Sequence, residues 1–364
     1  MAIFKVVCQR GNTIWLLDSP SQSDQNEFMI SPVYDDIHAA ARRLDGVVIR
    51  TPLLRSAVLS ERLGAQIYLK SENLQHTGSF KFRGAYNALS QIPESERQKG
   101  VFAISSGNHG QGVAEAARLL GLHATILMPH DAPEIKIART RASGSDVVFY
   151  NRAHDDRESV MEDHLSRTGA VLIHPYNNAH VIAGQGTVGL EISEQLHAEG
   201  LEPDYLLACT GGGGLTAGIA LACCERYPAL QMFSVEPDGF DDYRQSLATG
   251  TIVTNRQTTG SICDSILTPA PGIVGFTINR QRLAGGLSVS DGEALQAIRF
   301  LFENHRMLAE PGGAVALAAI LCGKLTAQVG SLSGKTIVAT VSGGNIDKSV
   351  LLRALDTGLE FAES

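Results

Sequence analysis

Five short stretches hold residue types and spacings that could do chemistry. Lys81 stands in SFKFRGA between Phe80 and Phe82. A lysine desolvated by apolar neighbours has a lowered pKa and becomes a usable nucleophile or base; the competing reading is a lysine that snorkels from an amphipathic helix. SSGNHGQG, residues 105–112, offers Ser105, Ser106 and Asn108 at a helix start. Their side chains and N–H groups could hold a carboxylate without a countercharge, or Ser106 or Asn108 could simply cap the helix. His109 alone would be only a histidine near a cap. TGGGGLTAGIA, residues 210–220, has four consecutive glycines ahead of a helical pattern. Such a loop turns N–H groups inward, and the helix adds its positive dipole end, which suits a phosphate. No Lys-Ser/Thr follows, so it is not a Walker A motif, and it lacks the spacing of a dinucleotide fingerprint. A strand–helix turn needs fewer glycines.

In SGGNID, residues 342–347, Ser342 could offer its hydroxyl to a ring heteroatom, or merely end a strand. In EPDGFDDY, residues 236–243, a loop could bring Glu236 and Asp242 to one cation with a backbone carbonyl, or the loop could be solvated and acidic. A phosphate loop, a carboxylate site, a ring-binding serine and a desolvated lysine together describe a cofactor with a phosphate, an aromatic nitrogen and an aldehyde.

The elements that must position these residues alternate. AQIYLKSE, GVFAISS, HATILMP, DVVFY, AVLIHP, YLLACTG, QMFSVEP and TIVATVSGG read as strands separated by helical patterns. One helix, GVAEAARLLG, places Val113, Ala116, Ala117 and Leu120 on one face and stops at Gly121. Apolar strands alternating with helices imply parallel sheets covered on both faces. Open parallel sheets bind ligands beyond the carboxyl ends of their strands. The 105–109, 210–215, 236–242 and 342–345 stretches all follow strand ends, so one shared cleft is expected. The first folded helix is expected at SPVYDDIHAAARRL, with Ser31 as cap and Pro32 in its first turn. Residues 1–30 break from this pattern, and DSPSQSDQNEF reads as a linker.

The 364 residues are 44% hydrophobic and 19% charged, enough for a sizeable core. A formal net charge of -8 argues against a general nucleic-acid binder. Cys8, Cys209, Cys223, Cys224, Cys263 and Cys322 form no C-x-x-C pair and read as free thiols of a reducing, cytoplasmic compartment. No apolar run reaches the about 18 residues of a membrane span, and the N-terminus is a poor signal peptide.

The ordered motifs S-F-K-x-R-G-A, S-S-G-N-H-G-Q, G-G-G-G-L, E-P-x-x-x-D-D and S-G-G-N resemble the serine/threonine dehydratase (ammonia-lyase) family of fold-type II pyridoxal-phosphate enzymes, which also includes serine racemases. The likeness runs from about Val33 to Ser342 and its loop. It implies an α/β fold of two open, twisted, parallel-type sheets flanked by helices, similar to tryptophan synthase β. A large domain (31–99 and 178–360) and a small substrate-side domain (100–177) would hold the cofactor in their cleft, with 1–30 as a flexible extension.

By the same resemblance Lys81 carries pyridoxal 5'-phosphate as a Schiff base and removes the α-proton. Gly211, Gly212, Gly213, Gly214 and Leu215 hold the phosphate, which in the family is a favoured proton donor to the leaving hydroxyl. Asn108 meets the ring hydroxyl and Ser342 the pyridine nitrogen. Ser105, Ser106, Asn108 and His109 take the substrate carboxylate. Glu236, Asp242 and the Phe240 carbonyl match a site for Mg, Mn or Ca. The expected reaction converts a β-hydroxy amino acid, threonine or serine by default, to a 2-oxo acid and ammonia. The alternatives are a racemase using Lys81 and Ser106 as a two-base pair, a lyase for 3-hydroxyaspartate or a bulkier hydroxy amino acid, or a non-enzymatic cofactor-binding protein. A small-molecule substrate and a homodimer complete the expectation, with no nucleic-acid or membrane partner. Two departures, Ser265 where many relatives have Gly and Tyr176 where they carry Phe or Asn, bear on the substrate's side chain. The short stretch after SGGNIDKSVLLRALDTG leads to the expectation of no regulatory domain of the kind carried by biosynthetic threonine deaminases.

Overall fold

The computed structural model describes residues 31–132, 134–257 and 259–358, together with the backbone alone of two strands, β1 (Phe4–Gln9) and β2 (Asn12–Leu17). These two form an antiparallel pair separate from the other sheets, whereas the sequence reads as an unstructured extension there. The linker reading of DSPSQSDQNEF lies outside the described residues. Among the described residues no helix is long and apolar enough to cross a membrane.

Ten further strands form two sheets: β3 (Leu53–Arg55), β4 (Gln66–Ser71), β5 (Val101–Ile104), β6 (Ala124–Pro129), β7 (Asp146–Tyr150), β8 (Val171–Leu172), β9 (Tyr205–Cys209), β10 (Gln231–Pro237), β11 (Leu283–Val289) and β12 (Thr336–Val341). One sheet runs β11-β10-β9-β12-β4-β3 and the other β7-β6-β5-β8. All pairings are parallel except that of the edge strand β3, which runs antiparallel to β4. Strands β6, β9 and β12 are buried along their whole length, because helices cover both sheet faces. The sequence pattern gives no hint of β3 or of β11, one too short and the other interrupted by Gly285 and Gly286.

The strand order aligns the expected site. Strand β12 lies between β9 and β4, and β10 lies beyond β9. The turns after β10, β9 and β12 therefore stand side by side along one sheet edge. Lys81 begins the helix Lys81–Leu89, which follows β4. That helix nevertheless buries Phe82, Ala85, Ala88 and Leu89 with Val101, Val113 and Ile126 in the core of the smaller sheet. Arg83, fully buried, ties it back. Its guanidinium contacts Glu72 at 2.8 Å and Glu191 at 2.7 Å, and Glu191 also takes Lys70 at 2.6 Å. Removing one partner of such a cluster leaves a bare buried charge, at a cost of about 3–5 kcal/mol. The cluster fixes where the helix starts relative to β4 and to the helix Ala179–Ala198. A Cβ on Gly184 would stand 2.5 Å from the Arg83 carbonyl, so only glycine permits that crossing.

The first described helix is Tyr34–Leu44, with Val33 rather than Ser31 at its N-cap. The Asp36 carboxylate accepts the Val33 N–H at 2.9 Å and sets the start two residues later than Ser31 and Pro32 suggest.

Candidate active site

A cavity of about 640 Å³ collects nearly every residue singled out above. Lys81, Ser105, Ser106, Asn108, His109, Gly211, Gly212, Gly213, Gly214, Leu215 and Ser342 line it. Glu236, Phe240 and Asp242 do not.

The glycine loop fills the step from β9 to the helix Gly214–Arg226. Gly213 has φ +84°, a left-handed conformation that favours glycine. A Cβ on Gly212 would stand 2.3 Å from the Tyr176 ring. The loop thus has no room for side chains, and it meets the helix at the end where N–H groups lack intrahelical partners. Ser342 lies at the adjoining end of β12, almost fully buried. The 105–109 loop comes from the other sheet. It runs from β5 into the helix Asn108–Leu120, whose first N–H groups are likewise unpaired within the helix.

Lys81 Nζ donates to the Pro175 carbonyl at 3.1 Å and lies 5.1 Å from the Phe80 ring centroid. Burial pushes its pKa down to about 8, against a weaker upward pull from Glu310. The sequence suggests two flanking aromatics, but only Phe80 accompanies the amine. Phe82, one helical step on, turns into the core beside His76 and Tyr86. His109 lines the cavity, yet its Nε2 is engaged at 2.7 Å by the Ile173 carbonyl. Burial, with Lys81 nearby, brings its pKa down to about 3 and keeps it neutral.

Glu236 and Asp242 are buried elsewhere, at the end of β10 and the start of the helix Asp242–Thr249. Glu236 accepts the N–H groups of Tyr243 at 2.9 Å and Arg244 at 2.8 Å. Asp242 Oδ1 accepts from Asn255 at 2.5 Å, while Oδ2 is buried without a partner. Burial first, then the Asp242 charge, raises the Glu236 pKa well above the carboxylate range. Burial likewise pushes Asp242 up to about 7. Among the described residues no three His, Cys, Asp or Glu side chains gather as a metal cluster. An orphaned acidic oxygen beside a second buried acid still fits a cation whose remaining ligands are carbonyls or water.

Sequence reasoning misses several wall residues. Glu310, Asn345, Lys136, Arg152 and Arg157 all line the cavity. The signal for Glu310 was its place before Pro311 and a wholly apolar helix, Pro311–Leu321. Asn345 closes the S-G-G-N motif but carries no role in the sequence reading, and no local pattern marks Lys136, Arg152 or Arg157.

A family profile described as "Pyridoxal-phosphate dependent enzyme" matches residues 44–343. The L-threo-3-hydroxyaspartate ammonia-lyase of Saccharomyces cerevisiae is 41% identical over 319 residues, covering 88% of this chain and 95% of that protein. Serine racemase of Schizosaccharomyces pombe is 39% identical over 319 residues, with 88% and 96% covered. Among solved structures, the T.th. threonine deaminase matches with a TM-score of 0.80 and 41% identity, over 87% of this chain and 99% of that one. The chain therefore belongs to the pyridoxal-phosphate-dependent enzymes of fold type II, in the group of ammonia-lyases and racemases of the threonine/serine type. The glycine cradle, the desolvated amine and the buried hydroxyl around one cavity fit that cofactor.

Proposed function

We propose that the chain is an ammonia-lyase of a β-hydroxy amino acid, with threonine or serine as the default substrate and a 2-oxo acid and ammonia as products. The observation that carries this reading is the convergence of Lys81, Asn108, the 211–215 loop and Ser342 on one cavity that also receives the 105–109 loop. The N–H groups of Gly211–Leu215 would hold the cofactor phosphate, Asn108 the ring hydroxyl, Ser342 the ring nitrogen and Lys81 the aldehyde carbon. When bound, the cofactor draws electrons from the α-carbon of an amino acid joined to it. Lys81 then takes the α-proton on Nζ, which a pKa of about 8 leaves partly neutral near physiological pH. Ser105, Ser106 and the first N–H groups of the helix Asn108–Leu120 hold the substrate carboxylate. In net terms the α-proton and the β-hydroxyl depart as water, and hydrolysis of the enamine left behind gives 2-oxo acid and ammonia. Ser342 would meet the ring nitrogen with a neutral hydroxyl and would not force a proton onto it, a setting that would suit loss of the β-hydroxyl.

A second reading, 3-hydroxyaspartate, is favoured by Arg157, which lines the cavity; Lys136 and Arg152 line it too but pair with the lining acids Asp264 at 3.4 Å and Asp131 at 2.9 Å. The ion partner of Arg157 is its neighbour Glu158, at 2.5 Å, which is not part of the wall. A second substrate carboxylate would find a guanidinium there. A divalent cation held by Glu236, Asp242 and the Phe240 carbonyl belongs to the same proposal, tuning stability or activity without entering the chemistry.

The test is a panel of D- and L-serine, threonine and 3-hydroxyaspartate, assayed for 2-oxo acid and for enantiomer exchange. We expect 2-oxo acid. Arg157→Ala should depress turnover of the dicarboxylic substrate selectively if that is the one preferred. Enantiomer exchange without 2-oxo acid would replace the reading with a racemase in which Lys81 and Ser106 act on opposite faces. An absorbance spectrum indifferent to every amino acid would leave only a cofactor-binding protein.

A further inference from the structure

Glu310 lines the cavity at the foot of the helix Pro311–Leu321, and only 6% of it is exposed. Its Oε1 accepts a hydrogen bond from Asn108 Nδ2 at 2.5 Å. The orientation of that amide follows from its neighbours. The Thr77 carbonyl can only accept, so Asn345 must turn Nδ2 towards it, at 2.8 Å. The other proton of Asn345 Nδ2 goes to Asn108 Oδ1, also at 2.8 Å. Asn108 is thereby left with Nδ2 against Glu310 and one further N–H to give. Gly343 makes room for the arrangement, since a Cβ there would stand 2.3 Å from Glu310 Oε1.

We propose that Glu310 is a positioning residue for the cofactor ring: its carboxylate fixes the Asn108 amide so that its free N–H is directed at the ring oxygen. This rests on the cofactor reading above. The arrangement needs the carboxylate as an acceptor, and an ionised one holds the amide more strongly than a neutral one. Burial, then the Asp264 charge, pushes the Glu310 pKa up to about 7, while Asn108, Lys136 and Ser265 pull it down. Lys81 is the other charge in electrostatic contact with it. The hold on the ring therefore strengthens as pH rises through about 7.

The experiment measures binding of 4'-deoxypyridoxine phosphate to cofactor-stripped protein by equilibrium dialysis across that pH. This probe keeps the phosphate, ring oxygen and ring nitrogen but cannot bond covalently to Lys81. Glu310→Ala should weaken binding by about tenfold above the transition, the loss of one charge-assisted hold. Glu310→Gln preserves an acceptor for Asn108. It should stay within roughly threefold of wild type and lack the component of the pH profile centred near 7. In an Asn108→Ala background, Glu310→Ala should cost nothing further. Wild-type affinity in Glu310→Ala, an unchanged pH profile in Glu310→Gln, or full additivity with Asn108→Ala would each overturn the proposal. Wild-type protein that does not bind the probe at all would overturn the cofactor reading, and this proposal with it.

Discussion

Lys81 answers to two opposing pressures. Burial disfavours its charge, and Glu310 supports it, with burial the stronger. Attack on an aldehyde needs the neutral amine, so capture of free pyridoxal phosphate by stripped protein should speed up as pH rises through about 8 and level off above it. A stopped-flow pH series checks this, and a rate flat across that range would show a normal, solvated lysine. Lys81→Ala should abolish 2-oxo acid release while leaving the melting temperature close to wild type, because it removes a desolvated amine and no core packing. A variant releasing ammonia at the wild-type rate would refute the assignment. The residues legible in the sequence were those whose chemistry is written locally: four glycines in a row, a serine at a strand end, a lysine in an apolar run. Glu310 was not legible because its meaning lies in a contact with Asn108, 202 positions away. Arg157 acquires its place only when the chain brings it beside Tyr176 in the same wall.

At the scale of elements, alternating apolar strands and helices were readable because parallel sheets bury both faces and leave long apolar runs. Helix starts were less readable. Ser31 and Pro32 look like a cap, but the Asp36 carboxylate competes for the same role and wins by reaching back to Val33. The junction between β10 and the helix Asp242–Thr249 shows the same interplay, with Glu236 occupied by the N–H groups of Tyr243 and Arg244. Both acids bind protons more tightly in the fold than in the unfolded chain. Their contribution to stability therefore falls as pH rises, starting near the unfolded value of 3.8 for Asp242 and continuing through its folded value of about 7. A divalent cation would substitute for the missing protons. Added Mg or Mn should raise the melting temperature more above neutrality than below it, and a chelator should reverse the gain. The double variant Glu236→Ala/Asp242→Ala should respond to neither. Wild type that is equally indifferent would remove the site.

At the scale of the molecule, the cleft exists because groups from two cores meet. The glycine loop and Ser342 end strands of the six-stranded sheet, the 105–109 loop ends a strand of the other, and the helix of Lys81 packs into the second core while tied by Arg83 to the first. Residues far from this meeting place should be dispensable, which bears on the N-terminal segment. Among the described residues, strands β1 and β2 pair only with each other, and the buried hydrophobic core begins at Ile37. The family match begins later still, at residue 44. A chain started at Met29 therefore keeps every described residue of the five hydrophobic clusters and of the cavity wall. It should be soluble, bind pyridoxal phosphate with unchanged affinity and melt within about 2 °C of the full chain, since less than about 1 kcal/mol would be lost. Differential scanning calorimetry and cofactor titration of the two chains side by side decide it. A shortened chain that precipitates, or that no longer holds the cofactor, would show that the β1–β2 pair packs on the enzyme and belongs to its fold.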